Sequence, residues 1–185
     1  MESLTLEDYV AAIEALIDEG KDAQELVREI VPLKQRLLAG WRNVPESFSE
    51  GLGDVPYTRN LLHADAEGRF TVMAIVWGGR CSTPVHDHES WGVIGVLREP
   101  VAVVNYKGPE EGHGNLEPLP AVTLDPGAVA TVVPPRSQNI HKMLNPTDRP
   151  AVTIHTYGDP AKLCRVYDPA TGRTKQMELQ FHHAL

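Results

Sequence analysis

The sequence predicts an all-β core, an antiparallel sandwich or small barrel, behind an N-terminal α-helical layer. Three observations predict it. The first 40 residues repeat apolar side chains at helical spacing. From Tyr57 the texture changes to short runs rich in β-branched and aromatic residues, separated by turn-rich spacers. No helix-length pattern interrupts those runs, which argues against a parallel α/β sheet.

The helical layer is read first. Leu6, Val10, Ile13 and Ile17 fall on one helical face, with Thr5 as its N-cap and Gly20 as its break. Asp22 and Glu25 then form a capping box for a second helix, whose apolar face holds Leu26, Ile30, Leu33 and Leu37. Pro32 lies inside that pattern and predicts a kink. NVPESFSEGLGDVP reads as a loop with one short helical turn. The strand runs follow: YTRNLLHA, RFTVMAIVW, WGVIGVL, VAVVNYK, LPAVTL, AVATVV, NIHKML, AVTIHTY and RVYD. Between them lie DAEG, GGRCSTP, REP, GPEEGHGN, DPG, PPRS and NPTDRP, the composition of turns. Closing two layers on each other also manages the many strand edges. Residues 1–52 are therefore expected as the helical layer and 53–185 as the β-barrel, in a single domain.

Composition narrows the partners. The chain has 185 residues, 42% hydrophobic and 23% charged, and a net charge of −8. Its acidic balance argues against nucleic acid or an anionic membrane surface, but not against a small anion held by one buried arginine. No apolar run approaches the roughly 20 residues that span a bilayer, and MESLTLEDYV lacks the shape of a signal peptide. Two cysteines, Cys81 and Cys164, do not make a disulfide framework, so a reducing, cytoplasmic setting is expected. Oligomeric state is left open.

The chemistry concentrates in STPVHDHESWGV. Side chains two apart on a strand face the same way, so His86 and His88 point together and Asp87 points opposite. Two imidazoles can converge on one metal ion; the competing reading is a polar strand end. His141, in NIHKMLN, and His155, in TIHTY with Tyr157 two residues on, lie on later strands that a barrel can bring to the same cavity. His63, His113, His182 and His183 read as surface residues, the last two in a tail expected to be disordered. Trp77 and Trp91 read as packing residues of the cavity wall.

These motifs resemble the cupin superfamily: H-x-H in a first motif, then DPG at 125–127 opening a second with His141 and Asn145 four residues apart. Trp91 and Gly92 stand where most cupins carry a metal-binding glutamate, and that omission resembles the thiol dioxygenases of the cysteine dioxygenase family. The resemblance implies a cupin jelly-roll barrel with ferrous iron held by His86, His88 and His141 and no carboxylate. It also implies Arg59, in YTRNLL, as anchor for the substrate carboxylate, with Arg165 next in line, and Thr153, His155 and Tyr157 as a hydrogen-bonded relay. Thr153 replaces the family's usual serine and keeps the hydroxyl. Gly92 replaces a cysteine that cross-links to the tyrosine in the animal enzymes, so Tyr157 is expected as a free phenol.

The chemistry is self-consistent. Three neutral ligands leave the full charge of Fe(II) to attract a thiolate, and they leave positions for a bidentate substrate and for dioxygen. The expected activity is oxidation of L-cysteine to its sulfinic acid. 3-Mercaptopropionate is the alternative, because HDHESWGVIGV also resembles bacterial enzymes that prefer it, although those tend to carry glutamine at the Arg59 position. Mercaptosuccinate comes third. From other classes stand a non-catalytic cupin that binds a metal or metabolite, and a cupin enzyme of different chemistry.

Overall fold

The computed structural model describes residues 3–41, 43–108, 114–158 and 163–185. His113 lies outside them. Two helices come first, α1 (Leu6–Asp18) and α2 (Ala23–Gly40). Both begin as the sequence demands. Thr5 and Asp22 each accept the backbone N–H of the third helical residue, Asp8 and Glu25, whose carboxylates reach back to complete capping boxes. Gly20 sits at φ +72°, the left-handed conformation that ends α1 at little cost. α2 runs on through Pro32 to Gly40. Its buried face holds Leu26, Ile30 and Leu37 as expected, and also Lys34, which hydropathy assigns to solvent.

The strands are β1 (Tyr57–Ala64), β2 (Thr71–Trp77), β3 (Val85–Asp87), β4 (Gly92–Arg98), β5 (Val101–Lys107), β6 (Glu117–Pro118) and β7 (Val122–Leu124). There follow β8 (Val129–Val132), β9 (His141–Leu144), β10 (Ala151–Tyr157), β11 (Leu163–Tyr167), β12 (Thr174–Glu178) and β13 (His183–Ala184). One sheet has the order β13-β1-β2-β10-β4-β8; the other runs β12-β11-β3-β9-β5-β6, with β7 also on β5. Apart from β13, which joins β1 in parallel, the pairings are antiparallel. Each run read as a strand contains one. The sequence reading missed β6, β12 and β13, the last in the tail expected to be disordered.

Among the described residues the hydrogen bonding falls into two separate sheets, so the expected barrel is an open jelly roll. Met73, Ile75, Ile94 and Val96 of the first sheet pack against Val101 and Met143 of the second. The helices cover the other face of the first sheet: Tyr9, Ile13, Ile30 and Leu37 share a cluster with Val72, Ala74, Val76, Val93, Val152 and Ile154. Burying each such Ile or Leu contributes about 1.5–3 kcal/mol. Covered on both sides, β2 and β10 are buried at every residue, which is why TVMAIVW is an apolar run rather than an alternation. No helix among the described residues is long and apolar enough to cross a membrane.

Candidate metal centre

Register builds the site. β3 and β9 are neighbours, and His86 stands directly opposite His141. Facing residues of an antiparallel pair lie close enough for their side chains to meet, and these imidazole centroids are 4.6 Å apart. His88 follows just beyond the end of β3 and keeps the same side. Asn139 holds it there: its Oδ1 accepts the His88 N–H at 2.9 Å and its Nδ2 donates to the His88 carbonyl at 3.2 Å. The His88 ring then lies stacked between His141, at 5.1 Å, and Tyr157, at 4.6 Å. One ligating nitrogen from each of His86, His88 and His141 falls within 4.8 Å of the others.

The donor chemistry fits a metal cation. Nδ1 of His86 lies 3.0 Å from the Pro84 carbonyl and Nδ1 of His141 lies 2.8 Å from that of Asn139. Those contacts place the protons on Nδ1 and leave both Nε2 lone pairs free. Nε2 of His88 is buried with no hydrogen-bond partner, a costly state unless something binds it. Burial and mutual repulsion keep the trio neutral: His86 is pushed down to about 3, His88 well below the usual imidazole range, and His141 in the same direction, chiefly by burial. Neutral imidazole is the ligating form.

Asp87 faces away, as the alternation predicts. It is buried on the outer side of β3, accepts the Tyr167 O–H at 2.5 Å, and has the guanidinium groups of Arg136 and Arg165 each 3.9 Å away. Arg165 stands opposite Asp87 in register, so its side chain belongs to that outer face. The structure does not bring Arg165 to the histidine cavity.

Arg59 does line that cavity, on β1. Its Nη2 donates to the Tyr57 hydroxyl at 3.2 Å and its guanidinium lies 5.0 Å from the Tyr57 ring centre. Among the described residues it forms no ion pair, so its charge is available to an anion. The cavity is small, about 40 Å³, walled by Met73, Ile75, Trp77 and Met143 and floored by His86 and His88. Met177, Leu179 and Cys164 close it from the C-terminal side. Trp91 belongs instead to the helix-facing core.

Thr153, His155 and Tyr157 alternate along β10 and point inward together. Thr153 Oγ1 lies 2.7 Å from His155 Nε2, and His155 Nδ1 lies 3.0 Å from the Tyr157 hydroxyl. Trp77, read from sequence as wall, donates its indole N–H to Thr153 Oγ1 at 2.8 Å. An indole can only donate. Thr153 accepts from Trp77, and because its buried proton has no other acceptor among the described residues, it donates to His155 Nε2. His155 stays neutral, held far below the usual imidazole range by burial and then by Lys34. Its proton thus resides on Nδ1 and is given to the Tyr157 oxygen, leaving the phenol proton to point elsewhere. Burial raises the Tyr157 pKa further above its usual value, with Arg59 opposing weakly, so the phenol stays protonated. A Cβ at residue 92 would fall 2.5 Å from Cε1 of Tyr157; Gly92 gives the ring its place.

An antiparallel jelly roll that gathers three histidines and no carboxylate into one cluster has the architecture of a metal-binding cupin. Residues 3–170 match the family described as cysteine dioxygenase type I, and the chain belongs to that family. By membership it is an enzyme of the dioxygenase class. It is 24% identical to cysteine dioxygenase type 1 of Danio rerio over 98% of this chain and 88% of that one. To the Rattus norvegicus protein of the same name it is 27% identical over 68% of this chain, a match spanning 62% of the rat protein's length. A solved cupin-superfamily sugar phosphate isomerase of Silicibacter pomeroyi aligns with TM-score 0.45 and 14% identity, covering 74% of this chain and 84% of that one.

Proposed function

We propose that this chain adds both atoms of dioxygen to the sulfur of a small thiol carboxylate, giving a sulfinic acid, with L-cysteine as substrate and Fe(II) as metal. The observation that supports this reading best is the clustering at one place: three neutral imidazoles without a carboxylate gather beside a cavity that is also lined by a guanidinium with no ion pair among the described residues and by a protonated phenol. His86, His88 and His141 would hold the iron. The iron supplies Lewis acidity that favours the thiolate form of the substrate and the redox capacity to react with dioxygen.

The protein's own groups do the rest. Arg59 takes the carboxylate in a planar fork of N–H donors and so fixes how far the sulfur reaches toward the histidines. Tyr57 steadies that fork from below. The Trp77–Thr153–His155 chain fixes the direction of every hydrogen bond up to Tyr157, whose O–H is left to donate to oxygen or carboxylate atoms of the bound molecule. Met73, Ile75 and Met143 exclude water, which strengthens these polar contacts.

One observation favours 3-mercaptopropionate as a second reading. Among the described residues no acidic side chain lines the cavity, so a free substrate ammonium would find no counter-ion among them. Steady-state oxygen uptake by the iron-loaded protein, measured side by side with cysteine, 3-mercaptopropionate and mercaptosuccinate, tests both. The expected result is uptake coupled to a product two oxygen atoms heavier than the thiol, with kcat/KM highest for cysteine. A higher kcat/KM for 3-mercaptopropionate replaces the substrate; no uptake with any of the three removes the reading.

A further inference from the structure

A second cavity, about 160 Å³, opens between the sheets on the other side of the histidine cluster. His141 and Met143 form its inner wall, and Met143 also borders the 40 Å³ cavity that holds His86 and His88. The two spaces are thus separated by one metal-ligand candidate and one flexible thioether. Ile94, Val103, Leu124, Ala130 and Val132 make most of the remaining wall, with Asn105 and Thr131 as its polar members, and Val122, 52% exposed, also borders it. Val132 reaches the same apolar cluster as Tyr157. Apart from His141, no lining side chain among the described residues is ionisable.

We infer that this groove is a binding and delivery site for dioxygen, passing it to the histidine cavity past Met143. The inference rests on the thiol dioxygenase reading. A charged thiol acid entering here would lose hydration and find no opposite charge among the described lining residues, whereas a small uncharged gas loses almost none. The Arg59 side offers the opposite chemistry, a cation suited to the carboxylate. With a substrate seated in 40 Å³, little space remains on that side for a second molecule to pass. Methionine is the side chain best suited to a yielding wall, being unbranched with three rotatable bonds. Apolar cavities of this order hold xenon, a neutral probe for the same kind of space.

The test uses the iron-loaded full chain. Crystals under xenon pressure should show xenon between Ala130 and Val103, and Ala130→Phe should abolish it. The same variant should raise the KM for oxygen by roughly tenfold while leaving the KM for the thiol acid and the iron content unchanged. Val103→Phe, filling the groove from the other sheet, should do likewise and serves if Ala130→Phe does not fold. Absence of xenon from the wild-type groove, or an unchanged oxygen KM in a folded, groove-filled variant, overturns the inference. Failure of the underlying reading looks different: the wild-type chain would then take up no oxygen with any thiol acid, and no oxygen KM would exist to compare.

Discussion

On the inner face of β10, Thr153, His155 and Tyr157 form a line of hydrogen bonds that starts at Trp77 and ends in a cavity. On the outer face of the same strand, Thr156 takes a hydrogen bond from Lys34 Nζ at 2.8 Å and shares another with the Tyr9 hydroxyl at 2.9 Å. Lys34 also donates to the Ile154 carbonyl at 3.2 Å and lies 4.8 Å from the Tyr9 ring centre. Both groups are buried to the same degree, and both hold titratable side chains far from their usual pKa. Burial and perturbation therefore do not separate a reaction site from a structural one. What separates them is whether the chain of donors closes. The outer cluster closes on itself under α2. The inner one leaves a phenol proton free, beside the unpartnered Nε2 lone pair of His88, whose ring stacks on Tyr157.

The sharpest contrast comes from removing that lone pair. His88→Ala deletes the buried nitrogen that has no protein partner. Losing a neighbour that merely orients a ligand costs roughly 10–100-fold in metal affinity, so losing a ligand should cost more and leave the dialysed protein with almost no bound metal. Full metal content in this variant would break the assignment of the inner face. A smaller effect is expected one step along the line. Thr153→Val keeps the shape and removes the hydroxyl, which frees His155 to exchange tautomers. The expected result is a fall of about tenfold in kcat with the thiol KM unchanged, and Thr153→Ser should restore the rate. Equal loss in the serine variant would mean that packing, not the proton order, is what Thr153 supplies.

The sequence showed the inner face better than the outer one, for a physical reason. Alternation along a strand is a local property, so T-x-H-x-Y and H-x-H could be read as lines of side chains sharing a face. Capping boxes are local too, and Thr5 and Asp22 were found. Pairing between distant strands is not local. Nothing in the text of the sequence says that β3 and β9 are neighbours with His86 opposite His141, and the resemblance to cupins carried that step. Arg165 went astray for the same cause. Its phase relative to Cys164, which alone of the two reaches the cavity, depends on register against β3. Trp77 was read only as cavity wall, which it is, and Asn139 was passed over, because their hydrogen bonds go to residues far along the chain. The ordered tail was passed over because its partner is the edge of β1, where Arg59 and His182 exchange backbone and ring contacts.

Lys34 was missed most completely, since a lysine on an amphipathic helix is ordinarily assigned to solvent. Its test is the gentlest of the set. Lys34→Met retains the length of the side chain and removes the amine. Desolvation depresses the Lys34 pKa in the folded protein well below 10.5, so between the folded and unfolded values the unfolded chain binds more protons. Stability then rises with pH across that window, and the contribution of Lys34 worsens as pH falls through it. Replacing a buried charge by an apolar group of like volume is often neutral or stabilising, and Thr156 keeps its bond to Tyr9. The variant should therefore be more stable than wild type by about 1 kcal/mol near neutral pH. That gain should shrink as the pH approaches the unfolded lysine value, because there the amine is neutral in both states. His155, which burial and then Lys34 hold below the usual imidazole range, is neutral across this window, and the remaining titrating groups are common to both proteins. Urea unfolding of both chains at a neutral and an alkaline pH measures it, with metal content and kcat expected to stay unchanged. Parallel stability curves would show that the amine is solvated after all, and a lost kcat would show that the outer face of β10 reaches into the chemistry of the inner one.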